Sequence, residues 1–79
     1  MKTLGDFIEK FAELFDETDP SIIKADTVFK DLEEWSSLLA LSTIAMIDEE
    51  YEVKIKGDDI RNSKTVEDLF NIVLSRFNG

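Results

Sequence analysis

The chain contains no cysteine and no histidine. Disulfide staples, thiolate and imidazole metal sites, and Ser-His-Asp or Cys-His catalytic pairings are therefore impossible within it. Proline occurs once, as Pro20, and glycine at three positions, so few places interrupt a regular backbone. Cations are scarce as well: 9 Lys and Arg stand against 18 Asp and Glu, a formal net charge of −9. Such a balance repels phosphate backbones and anionic lipid surfaces. Nucleic acid is excluded as a partner on that ground, and the partners expected are proteins that present basic patches. Long hydrophobic runs are also missing. The uncharged segment from Ser36 to Ile47 falls well short of the roughly 20 residues that cross a bilayer, and the opening MKTLGDFIEKF meets Asp6 and Glu9 before any signal-peptide-like run. The expectation is a soluble cytoplasmic protein, monomeric and without stable membrane insertion.

What is present is helical periodicity. Seventy-nine residues suffice for one small domain, 1–79, whose core is only just large enough. From Ser36 to Ile47 there is no charge, Gly or Pro, and at Asp48 the text turns abruptly acidic. This predicts one well-bounded helix with Ser36 as N-cap and Ser37 as its first residue. At about 100° per residue, Ala40, Ile44, Ile47 and Tyr51 form a core stripe with Leu41 and Thr43 at its edges. Leu38, Leu39, Ser42, Ala45, Met46 and Glu49 fall on the far side. Three large apolar side chains toward solvent mark either a partner-binding face or a shallow second core contact.

Two further stripes flank it. Thr3 precedes Leu4, Phe7, Ile8, Phe11, Leu14 and Phe15, which predicts a first helix over about Leu4 to Phe15 with Asp6 in a capping position. Thr65 with Asp68 opens a last helix from about Val66 to Phe77, with Arg76 near the negative end of its dipole. Between the first two helices runs a connection of nearly twenty residues, DETDPSIIKADTVFKDLEE, which Asp19-Pro20 keeps from being helical. Ile22, Val28, Phe29 and Leu32 are its expected anchors, with a short turn near Pro20 to Lys24. A short helical segment containing Ile60 and capped by Asp58 or Asp59 is expected after Gly57. The fold class is all-α: a small four-helix bundle of three principal helices and one short one, with a long first loop.

The carboxylates at Asp48, Glu49, Glu50 and Glu52 invite a calcium reading. A calcium-binding helix–loop–helix starting at Asp48 needs Gly at its sixth position, where Val53 stands, so no metal site is assigned. A solvated acidic helix end remains, although carboxylates there oppose the helix dipole and point to a role outside folding.

VFKDLEEWSSLLALSTIAMIDEEYEVKI, followed by DDI and TVEDLFNIV, resembles the acyl carrier protein family, whose signature is Asp-Ser-Leu at the opening of the second of four helices. The likeness covers nearly the whole chain, with Phe29, Leu32, the acidic run into Tyr51 and the Thr65-Val66 helix start in register. By this resemblance Ser37 corresponds to the serine that carries 4′-phosphopantetheine, joined through a phosphodiester by a phosphopantetheinyl transferase that uses coenzyme A. The resemblance implies a non-catalytic carrier that holds acyl intermediates as thioesters for enzymes of fatty acid or related lipid or polyketide synthesis. A chain without a thiol would import one on that arm. The transferase and acyl-processing enzymes are expected to dock through basic patches on Leu38, Ala45, Met46, Asp48 and Glu49.

One departure is informative. Ser36 stands where the family has its aspartate, and Leu39 and Ser42 stand where it has acids early in this helix. Ser and Asp are comparable N-caps, so the fold is unaffected, while a negative charge at the metal and transferase contact is lost. Two alternatives accompany the carrier reading: an unmodified helical interaction module that kept the fold and lost the arm, and an aminoacyl or peptidyl carrier variant.

Overall fold

Phe7, Phe11, Phe29, Ile47, Val66, Leu69 and Val73 are fully buried in the computed structural model, which describes residues 3–77, and the helices are arranged around them. Four α-helices follow in order: α1 Leu4–Ala12, α2 Ser37–Tyr51, α3 Gly57–Arg61 and α4 Val66–Arg76. Two single 3₁₀ turns, Pro20–Ile22 and Phe29–Asp31, lie in the connection between α1 and α2. The architecture is the all-helical small bundle expected, with three principal helices and one short one. α1 packs against both α2 and α4, and the short α3 bridges α2 to α4. Among the described residues, no helix is long and apolar enough to cross a membrane.

Capping explains where the helices begin. Thr3 Oγ1 accepts from the Asp6 N–H at 3.1 Å. Thr65 Oγ1 accepts from the Asp68 N–H, and the Asp68 carboxylate returns the bond to the Thr65 N–H, each at 3.1 Å. The loop supplies the rest of the α4 cap, since Thr27 and Ala25 carbonyls accept from Val66 and Glu67 N–H at 3.1 and 2.9 Å. Four orphan N–H groups at a helix start need such partners. Here half of them come from residues some forty positions earlier in the chain.

An aromatic cluster pins the long connection. Phe29 stands edge-on to Phe11 at 5.5 Å and to Trp35 at 5.0 Å, and Trp35 stacks on Phe15 at 6.4 Å. Each such pair contributes about 0.5–1.5 kcal/mol beyond its area burial. The Glu34 carboxylate closes the same loop from its other end. It accepts from the N–H groups of Asp16, Glu17 and Thr18 at 2.7, 3.0 and 2.9 Å and from Thr18 Oγ1 at 2.7 Å. These bonds, that of the Thr18 hydroxyl first, hold its pKa below the ordinary carboxylate value.

The structure corrects several expectations. α1 ends at Ala12 rather than Phe15: the chain tightens into i→i+3 bonds from Leu14 and Phe15 N–H, which bring Phe15 onto Phe11 at 5.3 Å. Ile22 is half exposed and is not an anchor; the extended backbone at Ile23, after the 3₁₀ turn, buries that side chain instead. Neither Asp58 nor Asp59 is the N-cap of α3, because the helix already starts at Gly57 and Lys56 occupies that place. Asp59 sits inside the first turn, accepts from the Lys56 N–H at 2.8 Å, and takes a two-pronged ion pair from Arg76 at 2.6 and 2.7 Å.

The largest correction concerns the faces of α2. Leu39 and Met46, expected toward solvent, are buried, whereas Leu41, expected at the core edge, is 64% exposed. α2 packs against α1 and α3, and its buried residues Leu39, Thr43, Met46, Ile47 and Tyr51 form a stripe turned from the expected one and centred near Thr43. Thr43 tolerates full burial because its hydroxyl donates to the Leu39 carbonyl at 2.8 Å. A helix without a continuous polar face offers no side from which its orientation can be read.

Candidate functional site

Ser36 and Ser37 divide the work at the start of α2. Ser36 has extended backbone, φ −156° and ψ 173°, and its Oγ accepts from the Leu39 N–H at 3.3 Å, so it is the N-cap. Its carbonyl takes the Ala40 N–H at 3.0 Å. The N–H groups of Ser37 and Leu38 stay at the open, positive end of the helix dipole. Ser37 is the first helical residue and is exposed. The geometry presents a free hydroxyl beside N–H groups that favour an anionic substituent.

Beside these serines lies a groove between α2 and α3. Ala40 and Ile60 form its apolar floor, Trp35 one wall, and Lys30 and Arg61 contribute cations. Lys30 Nζ donates to the Arg61 carbonyl at 2.8 Å, so the 3₁₀ turn at Phe29–Asp31 is tied to the C-terminal end of α3. Arg61 makes an exposed pair with Asp58 at 2.9 Å. In a chain of net charge −9, two of the 9 cations therefore stand at the groove that opens on Ser37. A phosphodiester on Ser37 fits this setting, with positive charge to the side and apolar surface for a flexible arm.

The placement of Ser36 and Ser37 at the helix start was legible in the sequence, and the groove beside them was not. Lys30 and Arg61 lie 31 positions apart and meet only through tertiary packing, so no local spacing signals them.

Along α2 from Ser37, the exposed residues form one line. Leu38 is 72% exposed and Leu41 64%, followed by Ala45, Asp48 and Glu49, all exposed. Of the expected docking set, Leu38, Ala45, Asp48 and Glu49 share this face, and Met46 is on the buried side. Leu41 takes its place at the centre of the exposed line. It was legible in principle, being three residues after Leu38 and four before Ala45. Asp48 pairs with Lys54 at 3.2 Å on the exposed helix end. Glu50 points away from this face and meets Lys10 of α1 at 3.0 Å, which raises the pKa of that ammonium.

A family model described as the phosphopantetheine attachment site matches residues 6–73. No curated protein matches the chain.

Proposed function

Because the chain belongs to the phosphopantetheine attachment-site family, matched across residues 6–73, we propose that Ser37 is its attachment point and that the protein is a non-catalytic acyl carrier. The observation that carries the assignment is the exposed Ser37 hydroxyl at the first position of α2, within the matched span and beside the Lys30 and Arg61 cations. Ser37 Oγ attacks the pantetheine-side phosphorus of coenzyme A and gives its proton to the transferase. The pyrophosphate P–O bond breaks, and adenosine 3′,5′-bisphosphate leaves. The chain has no imidazole to take that proton itself. Once attached, the group supplies a terminal thiol that holds acyl intermediates as thioesters. Lys30 and Arg61 would balance the phosphodiester charge, and Ala40 and Ile60 would give the arm an apolar surface.

Partner enzymes dock on the exposed line Leu38, Leu41, Ala45, Asp48 and Glu49, with basic side chains meeting the two carboxylates around an apolar centre. Cytoplasmic synthesis of fatty acids, related lipids or polyketides is the setting that the carrier reading favours.

Intact mass tests the assignment. Protein from its native host, or protein incubated with coenzyme A and a phosphopantetheinyl transferase, is expected to gain one phosphopantetheine, and Ser37→Ala is expected to gain none. An adduct that survives Ser37→Ala and disappears in Ser36→Ala would move the site by one residue. Ser36, which lacks the family's carboxylate, favours a second reading: an interaction module of the same fold that is never modified. Absence of any adduct from native protein would support that reading.

A further inference from the structure

On the outer side of α1, Gly5, Ile8 and Ala12 join Pro20 of the first 3₁₀ turn to line a groove edged by Glu9 and Glu13. Asp6 continues the acidic edge in an adjoining recess. Lys10 also lines that recess and feels Glu13, but its ammonium pairs with Glu50 on α2 at 3.0 Å, and three carboxylates against one cation leave the edge net negative.

Gly5 is the informative residue. Glycine is disfavoured in a helix relative to alanine, and its φ here is not positive. A Cβ built at this position would meet only Thr3 Oγ1, at 3.9 Å. Neither backbone geometry nor packing inside the chain calls for glycine. The missing side chain instead lowers the groove floor, which lets another backbone come close.

We propose that the α1 groove is a second docking surface, which receives a cationic amphipathic helix of a partner protein. Its apolar residues would seat over Gly5, Ile8 and Ala12, and its Lys or Arg side chains would meet Asp6, Glu9 and Glu13. Charge decides among occupants. A second copy brings −9 and the same acidic edge, and an anionic lipid surface is repelled likewise. The nine residues of α1 span roughly 13 Å at 1.5 Å per residue, which suits two to three turns of a partner helix. No residue of α2 lines the groove, so an occupant here leaves the Ser37 face open to visiting enzymes. The inference stands whether or not Ser37 is modified.

The test titrates the ¹⁵N-labelled full chain with a synthetic helical peptide that has a Leu/Ala stripe flanked by lysines. Amide shifts are expected at Gly5, Ile8, Ala12 and Glu13. Gly5→Leu, which fills the groove, and the double reversal Glu9→Lys/Glu13→Lys are each expected to weaken binding roughly tenfold, about 1.4 kcal/mol. Leu41→Ala is expected to leave it unchanged, and Gly5→Leu to melt no lower than wild type. Shifts confined to α2, or wild-type affinity in both groove variants, overturn the proposal. So does self-association through the same amides, which would give the groove to a second copy, or an equal response to phosphatidylglycerol vesicles.

Discussion

At the scale of single residues, adjacent serines with different tasks give the clearest experiment. Ser36 caps α2 and Ser37 presents its hydroxyl, so the two can be changed separately. Ser36→Asp keeps a competent N-cap and adds a carboxylate at the place where the family carries one. A charge-assisted contact to the transferase is worth about 1.5–3 kcal/mol, so modification is expected to run roughly ten- to hundredfold faster at nearly unchanged stability. Adduct-formation rates by mass spectrometry check this, and equal rates would show that position 36 does not touch the transferase's reacting centre. Glu52 offers a test on stability alone. It ends α2 in the left-handed region at φ 55°, the single non-glycine residue with positive φ among those described. A side chain there is strained, and a carboxylate opposes the dipole end. Glu52→Gly is expected to stabilise the fold by about 0.5–1 kcal/mol in urea denaturation; a loss would mean that the glutamate side chain contributes more than its backbone costs.

At the scale of the element, α2 divides its large apolar side chains between the core and the exposed line on which docking is proposed. Met46 and Leu41 are both large and apolar, five positions apart, and the structure puts the first inside and the second outside. Met46→Ala is expected to cost about 2–5 kcal/mol of stability through the cavity it leaves. Leu41→Ala is expected to change stability by no more than about 0.5 kcal/mol, while raising the KM of a partner enzyme about tenfold with kcat little altered. Melting curves together with steady-state kinetics on both variants decide. If Met46→Ala raised KM in a fully folded protein and Leu41→Ala did not, the docking line would have to be redrawn.

At the scale of the whole molecule, two carboxylates hold distant segments together and a third closes a helix start. Glu34 gathers the start of the long connection, Asp59 holds Arg76 of α4, and Asp68 caps α4. Bonds to Thr18, to Arg76 and to the Thr65 N–H respectively are the largest causes that lower their pKa values. A depressed folded pKa means that the stabilisation is present above the ordinary values of 4.5 for Glu34 and 3.8 for the aspartates, and is lost as pH falls through the lower folded values. Stability is therefore expected to decline below about pH 4.5. Glu34→Gln is expected to flatten this acid limb, read by denaturant midpoints between neutral and acidic pH, with the Asp16, Glu17 and Thr18 amides shifting at the same time. An unchanged acid limb would mean that the Glu34 bonds contribute nothing net.

The sequence alone determined where the three principal helices begin, because apolar spacing and caps at Thr3, Ser36 and Thr65 are local matters settled within a few residues. It also carried the family signature that implies a phosphopantetheine arm, and its lack of cysteine and histidine excludes thiol and imidazole chemistry from the chain's own side chains. The tertiary structure decided which side of α2 faces outward, since a helix without a continuous polar face takes its orientation from the helices it packs against. It decided that Ile23 rather than Ile22 anchors the connection, because a 3₁₀ turn rotates the chain by an amount that no hydrophobic period records. It brought Lys30 and Arg61 together beside Ser37, because that groove exists only where the long connection crosses the end of α3. Local patterns carry the elements, and contacts between residues far apart in the chain carry the surfaces on which the elements act.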